Sequence, residues 1–202
     1  DTISITILDS PIVNAGIDTS LCNVSGITLN ALPLVSPAIG QWYVDSTTAP
    51  TLPIFLAPNS STTLVTGLAE GVYKFIWRGI STPCYDERDT VIVSVYNQHT
   101  ANAGPDQNIC GLITTTISGN SILGLSKGKW LNTSFTPSAP IFIDSTALSP
   151  VSGMIEGGSY EFVWEISNGV CPTSRDTMLI KSLAIPIASF TEDTNKLCQG
   201  GC

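Results

Sequence analysis

Apolar and polar residues alternate with a period of two through much of the chain. Tyr73, Phe75 and Trp77 interleave with Val72, Lys74, Ile76 and Arg78, and Tyr160, Phe162 and Trp164 repeat the pattern against Glu161 and Glu165. A period of two sends successive side chains to opposite faces of a strand, so each segment predicts a half-solvated antiparallel strand with aromatics inward and charges outward. Further strands are predicted over 28–32, 41–44, 62–66 and 89–95. Helical periodicity is absent. Pro, Gly, Ser and Asn interrupt the pattern at intervals of about ten residues, the punctuation of an all-β protein built from short strands.

The pattern occurs twice. NAGIDTSLC at 14–22 returns as NAGPDQNIC at 102–110, and GQW ending at Trp42 returns as GKW ending at Trp130, both shifted by 88 residues. GVYKFIWRGISTPC at 71–84 returns as GSYEFVWEISNGVC at 158–171, shifted by 87, and RDTVIVSV from Arg88 returns as RDTMLIKS from Arg175. The same ruler carried backward makes DTISITI at 1–7 the counterpart of DTVIVSV, and carried forward it takes Cys110 to Cys198. The expected organisation is therefore a closing strand of a preceding repeat (1–8), repeat 1 (9–97), repeat 2 (98–183) and the start of a further, PKD-like repeat (184–202). Short strands in units of this length predict tandem immunoglobulin-like β-sandwich repeats of about 88 residues in an extended array.

Each full repeat reads Cys, Trp, Cys: Cys22, Trp42, Cys84, then Cys110, Trp130, Cys171. An even count without a close CxxC pair favours disulfides and an oxidising compartment over metal or redox use. Separations of 62 and 61 residues are similar to those within immunoglobulin domains, although here each cysteine lies outside a predicted strand. The expected bonds are Cys22–Cys84 and Cys110–Cys171, with Cys198 and Cys202 closing a local ring.

Composition narrows the function. Sixteen acidic against eight basic residues give a net charge of −8, and the lysines and arginines are scattered, so nucleic acid and anionic lipid surfaces are poor partners. No stretch approaches the roughly 20 apolar residues of a membrane-spanning helix, so no membrane insertion is expected. His99 is the one histidine, in the linker NQHTAN, and reads as a solvated residue without a catalytic partner. Asp86 with Glu87, and Glu192 with Asp193, read as solvated turns. Calcium is the one candidate cofactor, with Asp18 and Asp106 after the glycine turns as ligands. Trp42 and Trp130 are candidates for a sugar platform, against core packing.

The NAGPDQ…C, GKW and GGSYEFVWEISNGVCPTSRDT segments, at a spacing near 88, resemble the Ig-like and PKD-like repeats of very large Bacteroidota surface adhesins. These include gliding-motility adhesins exported by the type 9 secretion system. The resemblance covers essentially the whole chain. It implies an extracellular, cell-surface, disulfide-bonded stalk that is not an enzyme and presents a distal binding element for adhesion or gliding. Its implied partners are neighbouring repeats, a surface polysaccharide or another cell-surface protein. It also implies O-glycosylation at Asp-Ser/Thr triplets, with Thr2, Ser46, Thr90, Ser145 and Thr177 as candidates. Three Asn-x-Ser sequons, at Asn23, Asn59 and Asn132, would matter only in a eukaryotic secretory pathway. The alternative is a carbohydrate-binding accessory module of a secreted protein.

Overall fold

The computed structural model describes residues 2–3, 10–82, 85–134, 139–143 and 147–188. Thirteen strands and no helix are found among them. In the first repeat, β1 (Thr19–Cys22), β7 (Tyr85–Tyr96), β6 (Gly71–Ser81) and β3 (Ile39–Val44) form one sheet in that order, and β2 (Gly26–Asn30), β5 (Thr62–Thr66) and β4 (Ile54–Phe55) form the other. In the second repeat, β8 (Gln107–Cys110), β13 (Ser174–Leu183), β12 (Ser159–Ser167) and β10 (Lys127–Asn132) make the first sheet, with β9 (Thr115–Ser118) and β11 (Leu148–Val151) opposite. The edge strands β1 and β8 run parallel to β7 and β13; the other pairs are antiparallel.

The aromatic alternation closes each sandwich. Tyr73, Phe75 and Trp77 are fully buried on the inner face of β6, as are Tyr160, Phe162 and Trp164 on β12. The strand over 62–66 has the predicted bounds, whereas the one expected over 89–95 extends back to Tyr85. Asp86 is therefore in a strand and not a turn, held by paired hydrogen bonds from Arg78 at 2.7 and 2.6 Å, which keep its carboxyl well below the usual range. Glu165, expected outward in solvent, is buried on the outer face beneath Arg175 (2.6 Å) and Lys129 (3.1 Å). Burial pushes its carboxyl up, and the two cations outweigh that and hold it below its ordinary value. Glu192 and Asp193 lie outside the described residues.

The repeated Asn-Ala-Gly and Asp-Thr motifs meet in space. The Ala15 N–H donates to Asp89 and the Ala103 N–H to Asp176, each at 2.7 Å, while Asn14 and Asn102 each accept the N–H of the glycine two residues on. Both alanines are buried, so the carboxylate supplies the partner that a buried N–H requires. The motif thus ties the entry of each sandwich to its last strand.

Candidate functional site: the junction between repeats

Side chains from both sandwiches converge where the linker leaves β7. The Cys22 sulfur at the end of β1 is bonded to that of Cys171, in the loop between β12 and β13 of the next repeat. This corrects the expected Cys22–Cys84 and Cys110–Cys171 pairing. Cys22 lies in register with Tyr96 at the end of β7, whereas Cys84 immediately precedes Tyr85 at the start of that 12-residue strand. A strand of that length spans roughly 36 Å, far beyond the reach of one disulfide. Cys110 sits likewise opposite Leu183, at the far end of β13 from Cys171, and is a free, exposed thiol. Cys84, Cys198 and Cys202 lie outside the described residues.

Beside the disulfide, Glu70 at the turn before β6 reaches into the second repeat. Asn168 Nδ2 donates to its Oε1 at 2.6 Å and to the Asn97 carbonyl at 2.7 Å, and the Leu125 N–H donates to the same Glu70 oxygen at 3.2 Å. His99 Nε2 lies 3.4 Å from the other carboxylate oxygen. Its side chain is 21% exposed and that of Glu70 14%, so His99 is no solvated linker residue. Two glycines permit the approach: Gly124 and Gly169 have φ of +57° and +52°, and a Cβ there would meet the Glu70 carboxylate and the Tyr96 ring. Around them the Ala101 N–H donates to Ser174 Oγ and Gln98 Nε2 to the Pro172 carbonyl. On the other side the Gln98 N–H donates to Asn23 Oδ1 at 2.9 Å, which ties the linker to the first repeat as well.

Burial pushes the Glu70 carboxyl up, but hydrogen bonds from Asn168 and Leu125 and the neighbouring His99 outweigh it and hold it below its ordinary value of 4.5. A depressed carboxylate contributes fully above the unfolded value and loses that contribution as pH falls through the folded one. Junction contacts are therefore expected to weaken below about pH 4.5. In an NMR titration the Leu125 amide should shift in that range, and Glu70→Gln should remove the transition. A Leu125 amide that titrates above about pH 4.5, or that keeps its transition in Glu70→Gln, would sink this account.

The other candidates are dispersed. Asp18 and Asp106 accept the Ile92 and Leu179 N–H groups at 2.8 and 2.9 Å, pinning edge strands, and among the described residues no three His, Cys, Asp or Glu side chains could together hold a metal ion. Trp42 and Trp130 are 2% and 1% exposed, which corrects their candidacy as sugar platforms: they pack in the cores tilted against Trp77 and Trp164, with ring centroids 5.1 Å apart in both repeats. Thr2, Ser46, Thr90 and Thr177 are exposed, while Ser145 lies outside the described residues. A cavity of about 630 Å³ lies beside Trp77. Trp164 Nε1 donates to Asn120 at 3.0 Å, whereas Leu32 occupies the matching position in repeat 1 and Trp77 Nε1 has no partner among the described residues.

No protein-family profile matches the chain, and no curated protein sequence does. Solved structures do. Sidekick-1 immunoglobulin domains 1–5 align over 85% of this chain at a TM-score of 0.58 and 12% identity, the match spanning 38% of that chain. Rst D1-D2 aligns over 87% of this chain and 98% of its own at a TM-score of 0.57 and 10% identity. Drosophila OTK extracellular domains 3–5 align over 85% of this chain and 61% of theirs at a TM-score of 0.53 and 12% identity. Both repeats are immunoglobulin-like sandwiches. The two-domain Rst match, spanning nearly all of both chains, shows that the tandem arrangement as well as the single sandwich recurs in Ig proteins.

Proposed function

We propose that this chain is part of a non-catalytic stalk in a large secreted cell-surface adhesin, carrying a distal binding element away from the cell. The observation that carries this reading is the junction. Consecutive Ig-like repeats are joined by a disulfide, a shared carboxylate and a bonded linker, so the most elaborate polar cluster described is spent on holding one module to the next. A disulfide joining a strand end to a loop of the next repeat is compatible with an oxidising, extracellular setting. Ig-domain assemblies supply a precedent for protein partners: one similar structure is Dpr11 IG1 bound to DIP-gamma IG+IG2, with a TM-score of 0.50 and 11% identity. The finer assignment, a glycosylated gliding-motility adhesin exported by the type 9 system, rests on the sequence resemblance, with exposed Ser46 as the first glycosylation site to examine.

Small-angle scattering of the two-repeat chain is expected to give an elongated particle, with a maximum dimension near two sandwich lengths. A compact profile would remove the stalk reading.

A further inference from the structure

The far pole of the second repeat reproduces the backbone frame, the cysteine and the glutamate of the surface by which the first repeat carries its neighbour. Cys110 ends β8 as Cys22 ends β1, and the residue after each donates its N–H to the last strand: Asn23 to the Tyr96 carbonyl at 2.8 Å, Gly111 to Leu183 at 3.0 Å. Both of those residues have positive φ, +54° and +62°, so the chain turns away after the two cysteines in the same way. Glu156 is the counterpart of Glu70. The residue before each donates its N–H to the hydroxyl of the matching tyrosine, Ala69 to Tyr73 at 2.8 Å and Ile155 to Tyr160 at 2.9 Å, which fixes the alignment despite an inserted glycine.

What differs is occupancy. Glu70 is covered by the second repeat, whereas Glu156 is exposed and has no ion pair or hydrogen bond among the described residues. Cys22 is bonded, whereas Cys110 is free. Around Cys110 and Glu156 lies an apolar rim of Leu112, Ile155, Leu183 and Ile185, each 44% exposed or more. Isolated exposed apolar residues need no explanation, but a cluster at one pole marks an interaction surface.

We propose that this pole is a second junction, covered by the unit that follows in the chain and bonded to it through Cys110. The proposal rests on the stalk reading. The occupant is specified by the first junction: the further β-sandwich repeat whose start is read at 184–202, with a loop before its last strand that presents a cysteine where the second repeat presents Cys171. By the spacing of the existing repeats that cysteine lies 61–62 residues past Cys198. The bond forms by oxidation of two thiols. Two electrons and two protons pass by thiol–disulfide exchange to the disulfide of a dithiol oxidant, which leaves as two thiols. Cys22 and Cys110 would then each join one repeat to the next and not staple a repeat internally.

The test is peptide mapping of the full-length chain without reduction, after alkylation of free thiols. The Cys110 peptide is expected to be linked to a downstream peptide carrying the Cys171-type cysteine, to escape alkylation until reduced, and to be lost as a linked species in Cys110→Ser. Recovery of Cys110 alkylated from the outset, or linked to Cys84, Cys198, Cys202 or a second copy of the chain, overturns the proposal. An elongated scattering profile with a free Cys110 removes this joint and leaves the stalk standing. A compact profile removes the stalk whatever Cys110 does.

Discussion

Trp164→Ala is expected to melt the second repeat at temperatures where the first stays folded. The indole is fully buried, tilted against Trp130 at 5.1 Å, and packs over the backbone of Gly119 and Gly128, where no Cβ would fit. Removing a large buried aromatic costs about 3–5 kcal/mol, from lost transfer energy and the cavity left behind. That is a large part of the roughly 5–15 kcal/mol that keeps a domain folded. For a unit of this size it corresponds to a drop of about 12 °C or more in Tm. Calorimetry should resolve two transitions in the variant, one near the wild-type position. The milder Trp→Phe change separates the repeats: at 164 it also removes the indole hydrogen bond to Asn120 Oδ1, which keeps only the Asn102 N–H, whereas at 77 no such bond is lost. Trp164→Phe should therefore cost more than Trp77→Phe. Equal costs would show that the hydrogen bond adds nothing to the packing.

The second large effect is on geometry. Cys22→Ser is expected to leave both sandwiches folded and to release their mutual orientation. Both cysteines lie outside the hydrophobic clusters, Cys22 at an edge-strand terminus and Cys171 in a loop. Closing so long a loop is worth roughly 5 kcal/mol of chain entropy, but with both repeats folded that restriction falls mainly on the joint. The remaining junction hydrogen bonds contribute about 1 kcal/mol each, which does not replace a covalent tie. Residual dipolar couplings should then fit one alignment tensor in the oxidised protein and two different tensors in the variant. A single tensor in Cys22→Ser would mean that Glu70, Asn168 and the linker suffice.

The elements that were legible in the sequence are those whose signal is local. The Tyr-x-Phe-x-Trp alternation located β6 and β12 and their inner faces, and the doubled motifs located the repeats. The cysteine pairing was hidden because spacing does not say at which pole a residue lies. Cys22 and Cys84 have the separation of an intradomain pair, but the parallel pairing of β1 with β7 puts Cys22 at the end of β7 and not at its start. One signal was available: cysteines at or beyond strand ends sit at poles, and poles are where modules meet. His99 lacked a partner within its own linker because Glu70 stands 29 positions earlier in the preceding repeat, brought close only by tertiary packing. Strand periodicity points Glu165 to solvent, because it reports a face but not the cross-strand cations that cover it.

The inter-repeat disulfide also sets the route by which tension crosses the molecule. Force entering along β1 can pass through the Cys22–Cys171 bond directly into β13, past a sequence separation of 149 residues. Those residues would otherwise lengthen the chain by roughly 500 Å if drawn out. With the bond intact they form a covalently bypassed loop, so a strained filament of this kind would hold its length until sulfur–sulfur chemistry intervened. The force-bearing thread is then a short path of edge strand, disulfide and last strand, with the sandwiches as passengers on it.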